Sequence, residues 1–171
     1  MEHMTTESRA ARLMAMADAL VAANADFHKV LGPGAGDHAT NAFMAALRAR
    51  AVAELGEDYS EKRLCGETAQ AVDFYIPAEK TIIEVALGLH NPASEFEKDV
   101  LKAIIAQESG SPVSRLIFIA RPGGAKKCQQ PGRAGIIKWA QAKHGLQIEV
   151  HDLPGEPRPR RVRRRKPRDA D

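Results

Sequence analysis

Two carboxylates stand where a soluble chain rarely leaves them. Asp73 lies within AVDFYIP (71–77) and Glu84 within TIIEVAL (81–87), each flanked by hydrophobic side chains. A carboxylate in such company is costly unless it is paired, hydrogen-bonded or metal-bound. The residues PAEK between them read as a turn, and a turn centred between residues 78 and 79 sets 73 opposite 84 on adjacent antiparallel strands. Directly opposed residues share one sheet face, with Cβ atoms about 4.5–5.5 Å apart. Two carboxylates that close repel unless a cation lies between them, and an oxygen-only donor set with room for water suits Mg²⁺ or Mn²⁺. The plainer alternative is an edge-strand charge facing solvent or bridged to a lysine.

The elements that must position this pair follow from periodicity. TTESRAARLMAMADALVAANADFHKVL reads as a helix, with Leu13, Met16, Ala17, Leu20 and Val21 on one side and Thr5 or Thr6 as its cap. GPGAGD interrupts the pattern. A second helix spans HATNAFMAALRARAVAELG, with Asp37 as N-cap, Gly56 as its stop and Phe43, Leu47, Ala51 and Leu55 as its buried stripe. Residues 61–66 form a weak strand candidate, and 71–77 with 81–87 form a hairpin. Ser94 and Glu97 make a capping-box pattern for a helix whose core side is Phe96, Val100, Ala103 and Ile104. SRLIFIARP suits a central strand covered on both faces. A further helix runs from Pro131 to Gly145, with Ile136, Ile137 and Trp139 as core residues, and LQIEVHDL closes the fold as a strand. The expected class is α/β, with helices on both faces of a mixed sheet. The expected units are an N-terminal helix and Gly-rich loop (1–36), the α/β domain (37–153) and a basic tail (154–171).

This order, with V-D-F-Y-I-P carrying Asp73 and I-I-E-V-A-L carrying Glu84, resembles the PD-(D/E)XK nuclease superfamily, whose fold is the restriction-endonuclease-like three-layer αβββαβ arrangement. The resemblance covers residues 38–153. It implies Mg²⁺-dependent (or Mn²⁺-dependent) hydrolysis of phosphodiester bonds in nucleic acid, DNA ahead of RNA, with Asp73 and Glu84 as the metal ligands. Val72 replaces the motif's proline. The motif's lysine position holds Ala86, which cannot steady a phosphate or a nucleophilic water. In members that take the cation from the following helix, that helix would here offer Lys98 or Lys102. As ordinary surface residues, the same lysines would form pairs such as Glu95–Lys98 and Asp99–Lys102. The extra acid that the family's second helix often contributes would be Glu54. The alternative function is a catalytically inactive module of the same fold that binds nucleic acid or protein. Paired cuts need two sites, so the resemblance is also compatible with a homodimer.

Charge completes the picture. The chain has 171 residues with a formal net charge of +3. Residues 158–171 hold eight cations and two acids, a net of +6, whereas the other 157 residues carry 17 basic and 20 acidic side chains, a net of −3. A like-charged, proline-punctuated arm seeks polyanions, and its nucleic-acid contacts would come from Arg160, Arg161, Arg163, Arg164, Arg165 and Lys166. An anionic membrane surface would attract it too, and solubilisation alone is an equal alternative. The loop ARPGGAKKCQQPGRAG adds Arg121, Lys126, Lys127 and Arg133 as candidate phosphate contacts, although it lacks P-loop spacing. Cys128, beside Lys127, is placed for a lowered pKa. Two cysteines make neither a disulfide framework nor a four-thiolate zinc site. No histidine forms a metal-ligand pair, and no apolar run reaches the roughly 20 residues of a bilayer span. The expected setting is the reducing cytoplasm.

Overall fold

The computed structural model describes residues 7–30, 34–89 and 95–157. Ser94 and residues 158–171 lie outside them. In chain order the elements are α1 (Arg9–Ala22), α2 (Ala35–Leu55), β1 (Ser60–Lys62), β2 (Val72–Ile76), β3 (Thr81–Val85), α3 (Glu95–Glu108), β4 (Arg115–Ala120), α4 (Gly124–Cys128), α5 (Pro131–His144) and β5 (Gln147–Asp152). The strands form one open mixed sheet in the order β1-β2-β3-β4-β5. β1, β2 and β3 pair antiparallel, while β3, β4 and β5 pair parallel. The expected mixed sheet with helices on both faces is what forms.

Side-chain alternation divides the core in two. Phe74, Ile76, Ile83, Ile117 and Ile119 pack with Leu13, Met16 and Ala17 of α1 and with Phe43, Leu47 and Ala51 of α2. Tyr75, Ile82, Leu116 and Phe118 point the other way, onto Phe96, Val100 and Ala103 of α3 and Ala140 of α5. Phe96 and Phe118 stack with ring centroids 5.2 Å apart, fixing α3 over β4. Of the stripes read from periodicity in α1, α2 and α3, most residues are buried, and Leu20, Leu55 and Ile104 pack half-buried at their edges. α1 shares one core with α2 and the sheet, and Glu79 in the hairpin turn accepts hydrogen bonds from the Arg9 and Ala10 amides at its start.

Several local expectations need correction. Ser8, rather than Thr5 or Thr6, caps α1, its hydroxyl oxygen accepting from the Ala11 amide at 3.1 Å. α1 ends at Ala22, not at residue 31. α2 begins earlier than expected, so Asp37 sits in its first turn and accepts from the Gly34 amide at 3.3 Å instead of capping it. Gly56 and Gly145 adopt the left-handed conformation that ends α2 and α5, as their positions suggested. β1 is shorter than expected, three residues at 60–62. Part of the loop after β4 is helical: α4 forms there, with the Asp152 carboxylate accepting from the amides of Gly123 and Ala125. Trp139 is not a core residue. It is 48% exposed, whereas Ala140 is buried and Ile136 and Ile137 pack half-buried against the core.

Candidate functional site

The β2–β3 register is the one the turn geometry required. Ile76 faces Thr81, Tyr75 faces Ile82 and Phe74 faces Ile83, so Asp73 and Glu84 come next in line. At that step the carboxylates bond to the opposite strand's backbone. The Val85 amide donates to Asp73 Oδ2 at 2.8 Å, and the Asp73 amide donates to Glu84 Oε2 at 3.3 Å. Alternation places both side chains on the α3 face, with Tyr75 and Ile82.

α3 closes the group from above. Asp99, Lys102 and Glu84 are all buried, with relative exposures of 5%, 7% and 2%. The Lys102 ammonium lies 2.7 Å from Glu84 Oε1 and 2.9 Å from Asp99 Oδ1. It also donates to the Ala71 carbonyl at 3.2 Å. The ammonium thus lies against oxygens of three different segments. Asp99–Lys102 is thus not a surface pair, as the sequence alone suggested, but part of a buried cluster. Asp99 is the member that sequence reasoning missed. Its signal was its place three residues after Phe96 and four before Ala103, on the buried stripe of α3.

Electrostatics follow from two buried carboxyls, Glu84 and Asp99, against one ammonium, with Asp73 beside Glu84. Burial, reinforced by the charges of Asp99 and Asp73, pushes the Glu84 carboxyl up to about 8. Burial likewise raises Asp99, against the pull of Lys102. Desolvation opposes the charge on Lys102, but Glu84 and Asp99 outweigh it and its pKa is raised. With its carboxyl raised to about 8, Glu84 is largely protonated at neutral pH, so the group holds no clear excess of negative charge over Lys102. The all-oxygen donor set of Asp73 and Glu84 is of the kind that a hard divalent cation takes, which would have to displace the proton that burial favours on Glu84. Among the described residues no three or more His, Cys, Asp or Glu side chains form a ready metal cage.

The other candidates fall elsewhere. Lys98 is on the outer side of α3, its side chain 57% exposed and its Nζ 4.0 Å from Asp99. Glu54 belongs to α2, which packs on the opposite sheet face, and it accepts from Arg50 Nε at 2.5 Å. The structure does not bring it to Asp73 and Glu84. Arg121 is buried, donating to the Phe27 carbonyl at 3.1 Å with its guanidinium over the Phe27 ring, so it is not a surface phosphate contact. Arg133 donates to the Leu89 carbonyl and lies over the Phe96 ring, holding α5 to the segment after β3. Lys126 is exposed and Lys127 half-buried. Cys128 is buried, and burial pushes its thiol up rather than down. Arg160, Arg161, Arg163, Arg164, Arg165 and Lys166 lie outside the described residues.

No protein family model, curated protein or solved structure matches the chain. Among the described residues no helix is long and apolar enough to cross a membrane.

Proposed function

We propose that this chain is a metal-dependent nuclease with a restriction-endonuclease-like fold. Asp73 and Glu84 would hold Mg²⁺ or Mn²⁺, and Lys102 would serve in place of the lysine that Ala86 lacks. The observation that carries the reading is a buried ammonium from α3 lying 2.7 Å from Glu84, beside the carboxylate pair of β2 and β3. A bound divalent ion would supply Lewis acidity toward the phosphate and a lowered pKa for water. The chain's own residues do the rest. Asp73 and Glu84 are set on adjacent strands by the hairpin register. Asp99 and the Ala71 carbonyl keep the ammonium anchored if Glu84 turns to the metal, leaving one N–H for a non-bridging phosphate oxygen. Charge building on that oxygen is then met by a donor already desolvated and oriented. In the net reaction water bonds to phosphorus, the bridging P–O bond breaks, and the leaving oxygen takes a proton.

The experiment is cleavage of single- and double-stranded DNA and RNA with Mg²⁺ or Mn²⁺, comparing wild type with Asp73→Ala, Glu84→Ala and Lys102→Ala. Metal-dependent cleavage lost in all three variants is expected. Cleavage that survives both carboxylate substitutions rejects the site. One observation favours a second reading, an inactive binding module of the same fold. Glu84 is bonded to Lys102, and the described residues hold no ready metal cage. On that reading nucleic acid is bound but not cut under any metal condition.

A further inference from the structure

We propose that the outward face of α5, centred on Trp139 with Lys138 and Lys143 beside it, binds single-stranded nucleic acid. The indole would stack on an unpaired base, and the ammonium groups would meet the flanking phosphates. The proposal rests on nucleic acid as the ligand class of the function proposed above, but on neither the metal nor the chemistry.

Three observations converge on this face. Trp139 is the chain's only tryptophan and is 48% exposed, while its own helix buries Ala140. The His144 ring meets it edge-on with centroids 5.0 Å apart and interplanar angle 66°, an arrangement that braces the indole at one side. An aromatic face left open on a rigid helix is a stacking platform that tolerates any base.

The second observation is charge. From Ser109 to Ile148 the chain has no aspartate or glutamate and seven lysines and arginines. Arg115 pairs with Glu149, and Arg121 and Arg133 are turned onto backbone carbonyls. The four lysines, 126, 127, 138 and 143, pair with no carboxylate among the described residues, and Lys138 and Lys143 are exposed. The nearby Asp152 carboxylate is spent on the amides that begin α4.

The third is a helix surface kept bare. Gly132 and Gly135 are exposed in α5, seven and four residues before Trp139, on the same face. A Cβ at either would meet nothing within 4 Å, and neither has a positive φ. Packing and backbone geometry therefore do not require glycine, although glycine weakens a helix. A low surface beside the indole admits close approach of a strand. A membrane would attract the same lysines but would need a broader apolar stripe than one indole among glycine and alanine.

Because Trp139 is unique, its fluorescence reads this face directly. Full-length protein in EDTA is titrated with a short oligothymidylate, the matching oligouridylate, a duplex of equal length and anionic phosphatidylserine vesicles. Saturable quenching by the single strands, weaker with the duplex, is expected. Anisotropy of a labelled oligonucleotide should show affinity reduced roughly tenfold or more in Trp139→Leu. Lys138→Glu/Lys143→Glu should bind more weakly and with a shallower salt dependence. All these positions are exposed, so unchanged thermal midpoints confirm folding. Oligonucleotide binding that leaves Trp139 emission unchanged and is insensitive to these variants overturns the proposal, as does a response to vesicles alone or no binding at all. Cleavage with a silent Trp139 leaves the nuclease reading standing and removes this face. Quenching without cleavage does the reverse.

Discussion

The two faces of the sheet are built to different rules. On the α1/α2 side, Phe74, Ile76, Ile83, Ile117 and Ile119 meet leucine, methionine, alanine and phenylalanine, and the buried guanidinium of Arg121 sits against Phe27. On the α3/α5 side, the same strands place Asp73 and Glu84 among their apolar residues, and α3 adds Asp99 and Lys102. Hydrocarbon packing stabilises in proportion to the area buried, at about 25 cal/mol per Å². A buried ion cluster is a poor source of stability, because desolvation consumes most of the Coulombic gain. Both faces hold the fold by hydrocarbon packing, and the second in addition carries charges that stability alone does not explain.

That contrast can be broken most forcefully at Lys102. Lys102→Met leaves Glu84 and Asp99 buried without their cation, and should lower stability by about 3–5 kcal/mol in urea denaturation above pH 8, where Glu84 is ionised. Adding Glu84→Gln and Asp99→Asn to that variant removes the orphaned charges and should recover most of the loss. A single variant as stable as wild type there would show that the buried carboxyls hold no charge that depends on Lys102. On the opposite face, Leu47→Ala should cost about 2–5 kcal/mol through a cavity, with no change in how stability responds to pH.

The pH response itself separates the faces. An acid whose folded-state pKa lies above its unfolded one keeps in the folded chain a proton that the unfolded chain has shed. For Glu84 the ordinary value is 4.5 and the folded one about 8. Its contribution is full below the first value and lost as pH climbs to the second, so thermal midpoints of the metal-free protein should fall by several degrees across that range. Asp99, raised in the same direction, adds to the trend. Glu84→Gln should flatten the curve, and a curve as steep as wild type would assign the response elsewhere. The smallest effect belongs to the end of a helix on the hydrocarbon side. Ser8→Ala removes the cap of α1 and should cost about 1 kcal/mol by thermal melting, with no pH signature.

What the sequence disclosed follows from how local each determinant is. Helix stripes, the hairpin and its register were legible, because period and turn length are properties of a few neighbouring residues. The opposition of Asp73 and Glu84 came from that register alone. Lys102 and Lys98 could not be told apart by type, since only the packing of Phe96 and Ala103 decides which of them turns inward. Arg121 read as a surface charge because its partner, the Phe27 carbonyl, lies 94 residues away. Trp139 read as core because large aromatics usually are. α4 escaped notice because Asp152, which secures its start, comes from the last strand.

The most direct test of the carboxylate–ammonium site is the anomalous difference density of a crystal grown with Mn²⁺. A peak bounded by Asp73 and Glu84 is expected, with Lys102 still held by Asp99 and the Ala71 carbonyl. Density that is empty there, with Lys102 still closed on Glu84 at a Mn²⁺ concentration that supports cleavage, would contradict that site.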